Sequence, residues 1–218
     1  MKFVADSFSW PFRAEWKSSW LPGLIAVLLL PIAFIPLLGY AIAATRAAET
    51  DPAAGPPGWK LSFRLWTDGF WTALVIALLT APFALALNPL AGFLFDRQIG
   101  HVTDAAQSQL YAHVIAAFIL ALPWGLLLLL LMPHATARFA RTGSPTHLFD
   151  FPSAVRGVVH DFATWNLAAA AIVTGWALGL AAIGLLCVGL IPGVFYAILV
   201  SAHASAALHD KGSNSPTR

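Results

Sequence analysis

The sequence predicts an all-α fold, a polytopic transmembrane helical bundle with interfacial amphipathic helices and an internal repeat. Of the 218 residues, 59% are hydrophobic and only 10% are charged, well outside the range of soluble globular domains. Several apolar runs exceed the roughly 20 residues that a helix needs to cross a bilayer. Most of the nine tryptophans stand beside the ends of these runs, where an amphipathic ring prefers the boundary between lipid and water.

The first part of the chain predicts a surface segment followed by a broken membrane segment. Residues 3–20 interleave aromatic residues with Arg13 and Lys17, which predicts an interfacial lead, a segment lying on the membrane surface. Residues 21–45 carry no charge but are interrupted by Pro31 and Pro36. They form either one kinked span or a re-entrant hairpin.

Charge placement favours the hairpin. It puts eleven of the twelve Lys and Arg residues on one side and leaves Arg97 alone on the other, and such an excess marks the cytoplasmic side. Irregular backbone at membrane depth must be shielded by protein. The hairpin therefore predicts that the turn between Pro31 and Pro36 is buried.

The rest of the chain predicts four spans and two more interfacial leads. The leads cover residues 61–69 and 154–164, each preceded by a loop that contains Pro and Gly. In the first of these loops, five Pro and Gly residues between positions 52 and 58 exclude regular structure. Residues 1–209 then form a single integral membrane domain, and 210–218 a disordered polar tail. The predicted spans cover residues 70–95, 111–137, 165–186 and 188–208.

An internal repeat is predicted by a shift of 92 residues, which superimposes prolines, arginines and aromatic residues of the two halves. Repeats of this kind are common in bundles of membrane helices. We interpret the match as an old duplication. The aligned pairs are Pro31 with Pro123, Arg46 with Arg138, Arg64 with Arg156, Phe70 with Phe162 and Thr72 with Thr164.

Arginines form the candidate site. Arg13, Arg64 and Arg156 each stand about two helical turns ahead of aromatic residues that lead into an apolar run. Guanidinium groups at a membrane surface hold lipid phosphates in bidentate fashion, so we predict a site for anionic headgroups. The alternative is that these side chains only set the orientation and extend to the surface. The full candidate set is Arg13, Arg46, Arg64, Arg138, Arg141 and Arg156.

Other kinds of site have little support in the sequence. The seven histidines show no close metal-ligand spacing, and the single cysteine, Cys187, lies within an apolar run. No phosphate loop, nucleophile elbow or paired-carboxylate motif is present. We therefore expect no metal, no cofactor, no catalytic residue and no nucleic-acid partner. Gly175, Gly179 and Gly184 give the span 165–186 a face of small residues, which we expect to pack internally, with a dimer as the alternative.

Short motifs in this chain resemble a family of bacterial and archaeal integral membrane proteins, the domain of unknown function 4013 (DUF4013). The resemblance runs from about Phe8 to Leu208 and implies a membrane fold with no assigned activity or catalytic residues. One departure is the absence here of an expected additional Arg before Arg46, which argues against a fixed anion site there. The motifs are Gly39-Tyr40, Pro57-Gly58-Trp59, Asp68-Gly69, Cys187-Val188-Gly189 with Pro192, and Ala202-His203.

Three functions remain open at this point. The first is a non-enzymatic membrane protein that organises lipids or a partner complex, with the bilayer, anionic lipids, a protein partner or a second copy as its partners. The alternative is a transporter or exporter of a small or lipid-like molecule, which predicts a polar-lined cavity between the repeat halves. A second alternative is a membrane-embedded lipid-modifying enzyme. The expected location is the cell membrane (inner or plasma membrane), with the basic loops and the C-terminus in the cytoplasm.

Overall fold

The computed structural model describes residues 2–13, 16–97, 104–184 and 188–208, and every regular element within these ranges is helical. Four helices are long and apolar enough to cross a membrane: α3, α4, α5 and α8 with its extension to Gly184. The polytopic all-α fold is therefore confirmed. The helices are α1 Lys2–Ser9, α2 Trp16–Leu28, α3 Leu30–Thr50, α4 Phe63–Asp96, α5 Ala105–Thr142, α6 Thr146–Phe149, α7 Phe151–His160, α8 Phe162–Ala181 and α9 Leu190–Ala206, with short 3-10 turns at Trp10–Phe12 and Ala182–Gly184.

The predicted segments map onto these helices with two differences. The lead 61–69 and the span 70–95 are not separate, because α4 runs through both without a break. The span 188–208 corresponds to α9, an apolar helix of 17 residues, at the lower end of the length that crosses a bilayer. The lead 154–164 does break, at Asp161, whose carboxylate accepts a hydrogen bond from the Thr164 amide and caps α8.

Residues 21–45 fold as two antiparallel helices. Trp20 on α2 and Tyr40 on α3 both contact the Phe195 ring, at 5.5 Å and 5.8 Å between ring centres, whereas one continuous helix would hold the two residues about 30 Å apart. Arg13 Nη1 donates to the Pro52 carbonyl at 3.1 Å, so the open ends of the pair also meet. This is the hairpin geometry that the charge distribution favours, and α3 by itself is long enough to cross a membrane.

The turn of this hairpin differs from the expected one. It lies at Leu29, because Pro31 occupies the first turn of α3, where a missing N–H costs nothing. The expected burial is wrong, since Leu28 and Ile32 are 65% and 81% exposed. The reason is that the Leu29 amide bonds the Ile25 carbonyl at 2.9 Å and the Leu29 carbonyl accepts from Ala33 at 2.8 Å. A turn with its backbone paired in this way needs no protein shield.

The chain divides into two compact units. Unit 1 comprises Met1–Ala73 and Leu130–Arg218, and its core is aromatic. The Phe195 ring lies 5.5 Å from the Trp20 ring and 5.8 Å from the Tyr40 ring, and Tyr40 stacks on Trp59 at 4.4 Å. Gly23 leaves the space that the Phe195 ring fills. These rings join α2, α3 and α9.

Two helix pairs in unit 1 meet at glycines. A Cβ at Gly39 on α3 would overlap the Leu65 carbonyl of α4, and one at Gly69 would overlap the Ile35 carbonyl of α3. Gly179 on α8 and Gly193 on α9 oppose each other in the same way. Close backbone approach of this kind is how membrane helices pack, because lipid gives no hydrophobic drive between them. The predicted internal packing of the α8 glycines is confirmed for Gly175 and Gly179, whereas a Cβ at Gly184 would meet nothing within 4 Å.

Unit 2 comprises Leu74–Leu129, the second half of α4 and most of α5. Its described core is small and built from Ala91, Leu94, Ala112 and Ala116. The Trp124 indole donates to the Thr80 hydroxyl at 3.1 Å. Large apolar side chains point outward, among them Leu85, Phe118 and Leu122 at 78%, 76% and 68% exposure.

Candidate functional site

The most enclosed ion pair of the candidate set joins Arg46 on α3 to Asp68 on α4. Arg46 Nη2 lies 3.0 Å from Asp68 Oδ2, and the Asp68 side chain is only 8% exposed. Arg46 Nε donates to the Ala140 carbonyl of α5 at 2.7 Å. That carbonyl belongs to the last turn of α5, where no intrahelical partner exists. Arg46 therefore connects three helices.

Arg64 shares the same carboxylate from a more open position. Its Nε lies 3.8 Å from Asp68 Oδ2, and its side chain is 60% exposed. The sequence spacing predicts this pair of residues one helical turn apart, but the shorter contact belongs to Arg46. The Arg64 guanidinium also lies beside Gly143, where a Cβ would meet Nη2 at 3.3 Å.

A second ion pair fixes the segment after α5. Arg138 Nη1 lies 3.3 Å from Asp150 Oδ2, and Asp150 Oδ1 accepts from the Ser153 amide at 3.2 Å, which caps α7. Hydrogen bonds from the Ser153 side chain and backbone, together with Arg138, hold the pKa of Asp150 below its ordinary value. Arg141, on the same stretch of α5, is exposed and lies within electrostatic range of Glu49.

Arg13 holds the N-terminal segment in place. Its Nη2 lies 2.6 Å from Asp6 Oδ1 and 3.1 Å from Ser9 Oγ, in addition to the bond to Pro52. Gly55, with φ of 79°, lets the loop after α3 pass against the Arg13 backbone. Arg13 thus acts as an internal clamp between the segment before α2 and the loop that follows α3.

The first lead packs against α9 around Ser7 and Trp10. Ser7 is fully buried, and its Oγ lies 2.9 Å from His203 Nδ1 on α9. The Trp10 ring lies 5.3 Å from the His203 ring, and the Tyr196 hydroxyl donates to the Phe8 carbonyl at 3.2 Å. The sequence carries no signal of this docking, because Ser7 and His203 are 196 positions apart and such a separation leaves no spacing pattern.

Arg156 differs from both other lead arginines. It is exposed, and it donates to the Pro152 carbonyl at 3.4 Å and to Ser153 Oγ at 2.9 Å, both within its own helix. The three leads predicted as equivalent therefore hold their arginines differently. Arg13 is clamped internally, Arg64 shares a carboxylate, and Arg156 remains on the surface of α7.

The candidate arginines thus fall into two groups. Arg13, Arg46 and Arg138, which we call the paired arginines, have side chains 26–31% exposed and bind carboxylates of the protein. Arg64, Arg141 and Arg156, which we call the open arginines, are exposed. Of the acidic partners, Asp150 carries a recognisable signal, because an Asp just before Phe-Pro-Ser is typical of a helix start.

A cavity of about 320 Å³ lies beside the turn between α8 and α9. Its walls are apolar and aromatic, formed by Phe12, Trp20, Leu178, Pro192 and Tyr196 with three glycines. A polar-lined cavity is what the transporter alternative predicts, and this cavity does not match it. Among the described residues, no group of three or more His, Cys, Asp or Glu is placed to hold a metal ion.

The fold and the arginines define a polytopic helical membrane protein whose ion pairs gather at helix ends. The family described as protein of unknown function (DUF4013) matches residues 23–189. The chain belongs to this family, as the short motifs predict. Neither a curated protein nor a solved structure matches the chain.

Proposed function

We propose that this is a non-enzymatic membrane protein that organises anionic lipids, with the open arginines holding the phosphate headgroups. The observation that carries the proposal is the division of the six arginines. The side chains of the paired arginines are no more than 31% exposed, whereas Arg64, Arg141 and Arg156 are exposed at the surface of the protein. A guanidinium at the surface of a membrane protein fits a phosphate with two parallel hydrogen bonds.

Exposed apolar side chains support this placement at the headgroup level. Arg64 follows Phe63, which is 85% exposed, and precedes Phe70, which is 50% exposed. Arg156 lies between exposed apolar residues in the same manner, with Val159 and Phe162 at 74% and 58% exposure. Aromatic and aliphatic side chains of this kind enter the edge of the hydrocarbon region while arginines extend to the headgroups.

We also propose an orientation of the protein in the membrane. The basic loops and the C-terminus lie on the cytoplasmic side of the cell membrane, because the cytoplasmic leaflet carries the anionic lipids that attract Lys and Arg. Each basic residue near such a surface contributes about 1 kcal/mol of attraction. Three open arginines together correspond to about a hundredfold in lipid affinity.

Lipid retention tests the proposal. The wild type, the triple variant Arg64→Gln/Arg141→Gln/Arg156→Gln and the control Arg97→Gln are reconstituted with phosphatidylglycerol and phosphatidylcholine. The retained lipid is then counted by native mass spectrometry. Arg97 is a matched control because it is also an exposed arginine, it lies over the Phe93 ring at 5.1 Å, and it does not belong to the candidate set.

We expect the triple variant to lose most of its phosphatidylglycerol and keep its phosphatidylcholine. The Arg97 variant should retain both lipids as the wild type does. Circular dichroism melting of each variant establishes that the bundle is folded. Equal phosphatidylglycerol retention by the wild type and a folded triple variant would contradict the proposal.

A further inference from the structure

Asn88 is a polar side chain in an apolar part of α4. The helix carries no charged residue between Asp68 and Asp96, a length of about 42 Å. A hydrocarbon core of about 30 Å centred on that length begins about 6 Å from Asp96. Asn88 lies about 12 Å from Asp96 along the helix axis, and therefore inside that core. The Asn88 side chain is exposed. The amide therefore lies within the hydrocarbon region.

This amide has no partner within the part of the chain that the structure describes. The side of α4 that packs on α5 is marked by Ala91 and Leu94, and Asn88 lies roughly a quarter-turn away from it. An amide in hydrocarbon without a hydrogen bond costs several kcal/mol, because neither water nor lipid tails can bond to it. A partner from outside this chain would remove that cost.

The helix face around Asn88 permits close approach of another helix. Small exposed residues share the face within about 40° of it, at spacings of three and four residues. A Cβ at Gly92 would meet nothing within 4 Å. Small residues let backbones come close enough for side-chain amides to bond across a helix pair. The face consists of Ala77, Ala81, Ala84, Asn88 and Gly92.

We propose that a second copy of this chain docks on this α4 face, with the two Asn88 carboxamides bonded to each other. The amide, not the small residues, identifies the occupant. A carboxamide offers both a donor and an acceptor, so two identical residues related by a two-fold axis satisfy each other. A lipid tail can offer neither group. The interface is independent of the arginines in unit 1.

Two paired comparisons test the interface in liposomes. The first compares Asn88→Leu with Asn166→Leu, which removes an exposed amide on α8. Energy transfer between labelled copies measures self-association as the protein is diluted in lipid. We expect Asn88→Leu to weaken association about tenfold and Asn166→Leu to leave it unchanged.

The second comparison uses cysteine crosslinking in a Cys187→Ala background. Ala84→Cys lies on the proposed face, whereas Phe93→Cys is also exposed but is rotated by more than 100° around the helix. Oxidation should crosslink the Ala84 variant efficiently and the Phe93 variant poorly. A protein that stays monomeric, an Asn88 variant that associates like the wild type, or equal crosslinking at both positions would each overturn the proposal.

Discussion

Units 1 and 2 are stabilised by different kinds of contact. In unit 1, helices meet backbone to backbone at glycines, rings stack around Phe195, and Arg46 binds a carboxylate that is only 8% exposed. In unit 2, two helices pack through alanines and leucines, joined by the bond from Trp124 to Thr80. Specific internal contacts therefore concentrate in unit 1, and unit 2 presents its larger side chains outward.

The difference indicates separate roles. Lipid already surrounds apolar side chains, so burying them adds little stability inside a bilayer, and close packing and polar bonds must hold a bundle together. Unit 1 has both of these in quantity. Unit 2 resembles a surface available to lipid or to another helix, which is consistent with the docking face proposed around Asn88.

The largest expected effect comes from adding a side chain at a glycine where two helices meet. Gly39→Val places side-chain carbons against the Leu65 backbone, which cannot move as a flexible side chain would. We expect destabilisation of about 3 kcal/mol or more, seen as loss of folded yield and a lower melting temperature. Gly125→Val is the control, because a Cβ there would meet nothing within 4 Å. Equal losses of stability in both variants would show that the contact between α3 and α4 does not require glycine.

The next effect separates the two groups of arginines. Arg46→Ala leaves Asp68 without its closest partner in a nearly buried position, and we expect a loss of about 2–3 kcal/mol. Arg64→Ala removes a 3.8 Å contact from a side chain that is 60% exposed, and should cost less than about 1 kcal/mol. Denaturant or thermal unfolding in detergent measures both. An Arg64 variant as unstable as the Arg46 variant would contradict the division.

The smallest effect is a pH dependence at Asp150. Its pKa is lowered in the folded protein from about 3.9 in an unfolded chain. The ionised carboxylate therefore stabilises the fold above that unfolded value, and the contribution is lost as the pH falls through the folded pKa. We expect the melting temperature of Ser153→Ala, which removes the largest cause of the shift, to fall less steeply below about pH 4 than that of the wild type. Parallel curves would contradict this assignment.

Much of the fold follows from run length and charge placement. Apolar runs of sufficient length predict α4, α5 and α8, because a helix is the structure in which such a segment satisfies its own backbone in lipid. The hairpin of α2 and α3 follows from the count of basic residues. The position of its turn does not, because Pro31 reads as a breaker in sequence yet fits the first turn of a helix.

The division within the candidate site could be predicted only in part. The pairing of Arg138 with the cap residue Asp150 has a local signal. The pairing of Arg46 with Asp68 joins residues 22 positions apart on different helices. The pairing of Arg13 with Asp6 joins residues 7 positions apart, beyond the spacing of three or four at which side chains pair along a helix. Partners of this kind depend on how the helices pack, so composition and spacing show which arginines are present but do not show which of them are exposed.

Thiol labelling across the membrane tests most directly whether the basic segments of unit 1 share one membrane face. Single cysteines at Ser9, Ser62 and Thr146, all exposed, are introduced into a Cys187→Ala background and treated with a membrane-impermeant reagent. The hairpin of α2 and α3 predicts that all three react from the same side. Reaction of Ser9→Cys from the side opposite to Ser62→Cys would contradict the hairpin and the shared face.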